Sequence, residues 1–297
     1  LDKCALEDGE LSTVLKQVDE WAAKGFRNIA LAYKYGEEDG IVEEGYSYLG
    51  FAAITDPLRD GVSDAVKSAQ EAGIEVVMVT GDHPNTAFYI AKELGIAVNK
   101  DEVIDGVEIS HWQERGAPKE EIEHKRVFAR VSPEQKQLIV KSFQELGHFV
   151  AVTGDGVNDA PALKHANIGI SMGRSGTDVA RESSDMILTD DSFGSIVNGI
   201  EEGRVAYDNI RKVIHLLIST GFAEIVLVVL SMLFFIPIPL LPVQLLWLNL
   251  VTNGIQDVAL GVEKAEPGVL KRKPRDPKER IFNTVMISRV AVGGLYM

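Results

Sequence analysis

Thr153-Gly154-Asp155-Gly156-Val157-Asn158-Asp159-Ala160-Pro161 is the stretch on which the reading of this sequence turns. It follows an apolar run at residues 149–152 with strand character, and Lys164 stands three residues beyond it. Asp155 and Asp159, four residues apart on a turn that opens a helix, can reach one point from one face. The glycines let backbone N–H groups approach a phosphate closely. Mg2+ is a hard cation that takes a few carboxylates together with phosphate oxygens and water, so this stretch suits Mg2+ beside a phosphoryl group.

Working outward, the same device occurs earlier: a buried strand expected at residues 74–79 ends in Thr80-Gly81-Asp82. Helices are expected at residues 60–72, 85–94 and 133–146, and a further strand at 126–129. Alternating strand and helix implies a parallel sheet in which residues at the carboxyl ends of strands converge on one crevice. Gly-Asp after a strand is also a common turn and helix cap, so either tripeptide alone has a purely structural reading; the repetition favours function. Before this region, Leu11, Val14, Leu15, Val18 and Trp21 recur at helical spacing within residues 11–24. Strands are expected at residues 28–33 and 46–54, joined by an acidic, glycine-rich turn at 36–45.

The 297 residues carry a net charge of −14, and the one dense basic run lies at residues 271–280, which argues against a nucleic-acid partner. Cys4 is the single cysteine, so neither an intramolecular disulfide nor a cysteine metal cluster can form within the chain. The average composition hides a division: most of the acid lies before residue 207, whereas residues 213–262 are nearly uncharged. No charged segment followed by an apolar one marks the N-terminus as a signal peptide.

The nine-residue stretch resembles the hinge signature of P-type cation-transporting ATPases, which belong to the haloacid dehalogenase superfamily. The likeness extends through Asp56-Pro57-Leu58-Arg59, Thr80-Gly81-Asp82, Val127-Phe128-Ala129-Arg130, Ser132-Pro133 with Lys136, Ile168-Gly169-Ile170, Ser175-Gly176-Thr177-Asp178 and Leu248-Asn249-Leu250-Val251-Thr252. It implies an α/β fold with a Rossmann-like parallel sheet of the haloacid dehalogenase type, followed by transmembrane α-helices, and the use of ATP and Mg2+. By that resemblance Asp155 holds Mg2+ and Asp159 orients it, while Thr80 and Gly81 donate hydrogen bonds to the transferring phosphoryl group. Lys136 neutralises charge on that group, since phosphoryl transfer is catalysed mainly by positioning and electrostatics. Arg59, Asp82 and Arg130 lie along the nucleotide's approach, and Gly154 and Asn158 belong to the same binding set. The family is phosphorylated on the Asp of an Asp-Lys-Thr-Gly-Thr motif, which this sequence lacks: Asp2-Lys3 is followed by Cys4-Ala5-Leu6.

Two apolar stretches, residues 213–239 and 240–262, each exceed the ~20 residues that a membrane helix needs. Ile236-Pro237-Ile238-Pro239 would turn between them. Arg204, Arg211 and Lys212 precede the pair, and Lys264, Lys271, Arg272, Lys273 and Arg275 follow it, so both outer ends are expected in the cytosol. Glu224 at membrane depth is costly and marks a functional site. Asn249, Thr252, Asn253, Gln256 and Asp257 form one polar stripe, and Gly254 would permit local unwinding. For Thr252 and Gln256, glueing helices together is an equal reading.

In calcium pumps of the resembled family Asn253 is usually Asp and Gly221 usually Asn; whether Asp257 replaces the missing charge stays open at this level. Oxygen ligands without a Cys-Pro-Cys argue against copper, zinc and cadmium. Calcium ranks first by resemblance, with sodium, a proton or manganese as alternatives.

The expected division is residues 1–48 as the tail of a nucleotide-binding domain and 49–206 as the phosphorylation domain. A linker helix and transmembrane hairpin at 207–262, a cytosolic loop at 263–284 and the start of a further span at 285–297 complete it. Leu1 in place of a methionine and an apolar run breaking off at Met297 suggest cut ends, with the upstream remainder of the same pump as partner. The competing readings are a soluble phosphatase of the same superfamily and a fragment inactive on its own.

Overall fold

The computed structural model describes residues 3–5, 8–22, 24–35, 45–54, 57–115, 119–276 and 278–296. Asp2, Asp56 and nearly all of the turn expected at residues 36–45 lie outside them. The chain divides into two compact units, residues 1–70 with 75–195, and residues 71–74 with 196–297.

The first unit opens with α1 (Asp8–Ala22) and an antiparallel hairpin of β1 (Arg27–Tyr33) and β2 (Ser47–Ile54), bulged between Leu31 and Ala32. An alternating series follows: α2 (Val62–Glu71), β3 (Met78–Val79), α3 (Pro84–Glu93), β4 (Val103–Asp105), α4 (Gly106–Arg115), α5 (Lys119–His124) and β5 (Val127–Ala129). It continues with α6 (Pro133–Glu145), β6 (Ala151–Gly154), α7 (Ala160–His165), β7 (Ile168–Met172), α8 (Asp178–Glu182) and β8 (Met186–Leu188).

The parallel pairing expected from the alternation is present, in two three-stranded sheets ordered β3-β5-β4 and β6-β7-β8. Strand β5 is the centre of the first. Val127 and Ala129 point to one face, where α2 supplies Val66, α3 supplies Ala87 and Ala91, and Leu94 follows at the end of α3. Phe128 points to the other, against Ile104, Ile109, Trp112, Ile139 and Phe143. All three β5 residues are fully buried, as a parallel strand covered on both faces requires. Burial of Phe128 contributes about 1.5–3 kcal/mol.

Thr153-Gly154 closes the edge strand β6 and Asp155 leaves it, while Thr80-Gly81-Asp82 follows the edge strand β3. This explains why the strand expected at residues 74–79 contracts to Met78–Val79. A ladder needs a neighbour, and β3 has only the three-residue β5, which pairs with Met78 and Val79 alone.

The second unit contains most of α9 (Phe193–Leu233), then α10 (Pro242–Trp247), a π-helical segment (Leu248–Asn253), α11 (Gly254–Gly261) and α12 (Thr284–Tyr296). Among the described residues α9 is the one helix long and apolar enough by itself to cross a membrane. Of the second expected span, 240–262, residues 242–261 are helical, in three segments. Gly254 keeps a right-handed helical backbone, so the expected unwinding there is replaced by a wider π turn just before it. The polar start of α9 is tied to the loop after α11. The Arg204 Nη1 donates to the carbonyls of Val269, Leu270 and Arg272 at 2.8–3.1 Å, and the Lys212 ammonium lies 2.7 Å from both Glu263 and Glu266.

Candidate functional site

Thr80-Gly81-Asp82 is held by the end of β5. The Thr80 N–H donates to the Phe128 carbonyl at 2.9 Å, the Thr80 carbonyl accepts from Val131 at 3.1 Å, and the Asp82 carbonyl accepts from Arg130 at 3.0 Å. Thr80 Oγ1 also donates to Asp82 Oδ2 and accepts from the Asp82 N–H, both at 3.1 Å, closing a tight local turn. Arg130 has φ 51°, a left-handed conformation unusual for a side-chain-bearing residue, and its guanidinium reaches Asp105 at 3.6 Å.

Immediately beyond, Ser132 caps α6. Its Oγ accepts from the Gln135 N–H at 3.3 Å while Gln135 Oε1 accepts from the Ser132 N–H at 2.9 Å, a reciprocal cap. Gln135 is buried and donates 2.7 Å to the Gly106 carbonyl, which fixes the first turn of α6 and so the position of Lys136.

The hinge is organised around Asp159. Its Oδ2 accepts from the N–H groups of Asp155 at 3.2 Å and Gly156 at 3.1 Å, and its Oδ1 accepts from Lys136 Nζ at 2.6 Å. Gly154 is required here: a Cβ added to it would stand 2.5 Å from Asp159 Cβ. Asp159 is therefore committed to the protein. Asp155 is exposed, and among the described residues no side chain engages its carboxylate, while its carbonyl accepts from Thr177 N–H at 2.8 Å. Gly81 faces open space and Asn158 is exposed. Arg59 donates 3.2 Å to the Asp191 carbonyl.

Sequence reasoning passed over Asp191, which accepts hydrogen bonds from Gly173, Arg174 and Ser175 N–H groups. The Asp-Asp pair after β8 was the available signal, but nothing in sequence spacing ties it to the hinge. Backbone donors, that of Arg174 foremost, lower the Asp191 carboxyl to about 2.

In the helical unit, Asn249 Nδ2 donates to Glu224 Oε2 at 3.0 Å and Asn253 Nδ2 donates to Asn249 Oδ1 at 2.8 Å. Asn253, itself buried, also reaches Thr220 Oγ1 at 3.4 Å, a residue the sequence did not single out. The π segment carries both asparagines, and such segments concentrate at functional sites. Thr252 and Gln256 are exposed, outside this network. Asp257 is half-buried, with a covered Oδ1 that has no hydrogen-bond partner among the described residues.

The family model described as haloacid dehalogenase-like hydrolase matches residues 10–167, and that described as cation transporting ATPase, C-terminus, matches residues 237–297. A calcium-transporting ATPase of Bacillus subtilis is 46% identical over 282 residues, covering 92% of this chain and 31% of the relative. The cation-transporting ATPase pma1 of Synechocystis is 41% identical over 306 residues, covering 98% and 33% respectively. A probable cation-transporting ATPase F of Mycobacterium tuberculosis is 38% identical over 307 residues, covering 97% and 34%. This chain thus spans about a third of the length of the curated relatives it matches. With two parallel sheets, a Gly-Asp hinge and this span of likeness together, the chain belongs to the haloacid dehalogenase-like hydrolases, among relatives named calcium- and cation-transporting ATPases.

Proposed function

We propose that this chain is the phosphoryl-transfer and ion-binding part of an ATP-driven cation pump that works through an aspartyl phosphate. The observation that carries the proposal is the Lys136–Asp159–Asp155 arrangement. Asp159 is consumed by two backbone donors and a lysine, which leaves Asp155 as the carboxylate free for a metal.

Mg2+ fits this donor set, an exposed carboxylate on a glycine-bounded turn, and bound there it would neutralise charge on the phosphoryl oxygens. The Gly81 N–H donates to those oxygens, the Thr80 hydroxyl does so by turning away from Asp82 Oδ2, since its own N–H is held by the Phe128 carbonyl, and Lys136 stabilises the charge that develops on them. Arg59, Asp82 and Arg130, with Gly154 and Asn158, belong to the nucleotide side. The Asp-Lys-Thr-Gly-Thr motif that carries the nucleophile is absent from the sequence, and among the described residues β3 and β6 each have one edge without a partner strand, on which a further parallel strand could carry it.

The helical unit supplies part of the cation path. Glu224, Asn249 and Asn253 are joined by hydrogen bonds that a cation would replace with oxygen ligands, and Thr252 and Asp257 extend the same stripe. Hard cations suit such donors, calcium first by the relatives' names, with sodium, a proton or manganese as alternatives. Residues 242–261 are continuously helical and at ~1.5 Å per residue would span a bilayer core as the return of a hairpin begun by α9. The flanking Lys and Arg support a cytosolic side for the α/β unit.

The test is phosphoenzyme formation by the full-length pump from labelled ATP and Mg2+, scanning Ca2+, Na+, Mn2+ and pH. One cation should switch labelling on, and Asp155→Asn should abolish it. Absence of an acid-stable acyl phosphate under every condition would defeat the proposal.

A further inference from the structure

The turn between β7 and α8, residues 173–177, is held from both ends. At one end stands Asp191, whose Oδ1 accepts from the N–H groups of Gly173 at 2.7 Å and Arg174 at 2.9 Å, and whose Oδ2 accepts from Ser175 at 2.7 Å. Both carboxylate oxygens are used on three successive amides. Asp191 itself has φ 55°, a left-handed backbone conformation unfavourable for a side-chain-bearing residue.

The turn between the two ends is stiff. A Cβ on Gly176 would stand 2.0 Å from the Met172 carbonyl oxygen, so the chain can close there only with glycine. The Arg181 guanidinium donates to the carbonyls of Gly173 at 3.1 Å and Gly176 at 2.5 Å and pairs with Asp178. At the far end the Thr177 N–H donates 2.8 Å to the carbonyl of Asp155, while Thr177 Oγ1 caps α8 by accepting from Ala180.

We infer that Asp191 is a positioning residue for Asp155, setting the direction of its carboxylate through the turn at residues 173–177 and the Thr177 N–H; this rests on Asp155 being the metal carboxylate. The mechanical logic is short. A carbonyl and a side chain leave adjacent atoms of one residue, so a donor that locks the Asp155 peptide plane also restricts where the Asp155 carboxylate points. Mg2+ demands near-ideal octahedral geometry, so a misdirected ligand loses affinity before it loses anything else. Arg59, bound to the Asp191 carbonyl at 3.2 Å, braces the same corner. If Asp191 served only to hold the fold, its loss would lower stability and leave the metal constant of the folded protein unchanged.

The experiment is an Mg2+ titration of the full-length pump and of its Asp191→Asn, Asp191→Ala and Asp155→Asn variants. It is read in two ways: hydrogen exchange of the peptide covering residues 153–160 with Mg2+ alone, and single-turnover phosphorylation from ATP. Asp191→Ala should raise the half-saturating Mg2+ at least tenfold in both readouts, with the phosphorylation deficit shrinking as Mg2+ rises. Asp191→Asn keeps one acceptor oxygen in a side chain of the same shape and should fall between. Mg2+ constants equal to the parent's in both Asp191 variants, with Asp155→Asn losing its Mg2+ response, would overturn the inference and leave the metal reading standing. An unchanged Mg2+ response in Asp155→Asn would instead remove the metal reading itself.

Discussion

Lys136 Nζ lies 2.6 Å from Asp159 Oδ1, with the lysine side chain 19% and the aspartate side chain 15% exposed. This ion pair joins the helix after β5 to the hinge after β6, and hence the two sheets' active ends. Partly buried and reinforced by the two backbone N–H groups on Asp159 Oδ2, it differs from a solvated surface pair, whose contribution is small.

Lys136→Ala should therefore slow phosphorylation at least a hundredfold, about 2.7 kcal/mol of transition-state stabilisation. Lys136→Arg should recover part of the loss. Rapid-quench phosphorylation with saturating ATP and Mg2+ measures both, and a rate within threefold of the parent for Lys136→Ala would remove the lysine from the chemistry.

Glu224→Gln in the full-length pump should lower ion-stimulated turnover at least tenfold, roughly 1.4 kcal/mol. Glutamine can still accept from Asn249 Nδ2, so the variant keeps the hydrogen bond and removes only the charge. ATPase activity against cation concentration is the measurement, and an unaltered ion dependence would take Glu224 out of the ion site.

Asn253→Asp tests the substituted position directly. Asn253 donates to both Asn249 Oδ1 and Thr220 Oγ1, and an aspartate there can donate to neither, so its carboxylate faces the Asn249 Oδ1 acceptor until a cation joins them, while the Thr220 hydroxyl can turn to donate. The variant should bind divalent over monovalent cations more tightly than the parent, by fivefold or more in the constants for switching on phosphorylation. Identical selectivity in both proteins would show that Asn253 does not set it.

Gly176→Ala would place a methyl group 2.0 Å from the Met172 carbonyl oxygen, where backbone, not a flexible side chain, must give way. Overpacking of this kind typically costs about 1–3 kcal/mol, seen as a lower urea midpoint at unchanged slope. A midpoint equal to the parent's would mean that the turn is looser than the structure shows.

Acid should act through Asp191. Its carboxyl is lowered to about 2 from an ordinary 3.8, chiefly by the Arg174 N–H and its neighbours. A lowered carboxyl supports the fold above its unfolded value and loses that support as pH falls through its folded value, so the contribution disappears between about pH 4 and 2. Hydrogen exchange at Gly173, Arg174 and Ser175 should accelerate, relative to the surrounding amides, over that window. Asp191→Asn should abolish the pH dependence of their protection there.

How much of this was legible beforehand follows from the kind of information each feature needs. By itself the sequence determined the alternating parallel α/β unit, the hinge from Thr153 to Pro161, the apolar run containing Glu224 and the stripe that begins at Asn249, because periodicity, glycine placement and buried charge are local properties. Only the tertiary structure decided which of the two hinge carboxylates is free. Spacing leaves Asp155 and Asp159 equivalent and only the family resemblance favoured Asp155, whereas in the structure a lysine arriving from 23 residues away consumes Asp159. The same holds for Asp191, whose three amide donors are 16–18 residues distant along the chain, and for Thr220, met by Asn253 across 33 residues. The short β3 also lay beyond a sequence reading, since a strand's extent depends on the length of its neighbour, and so did the π turn before Gly254. Local chemistry marks the residues able to act, and long-range hydrogen bonding selects which of them are left free to do so.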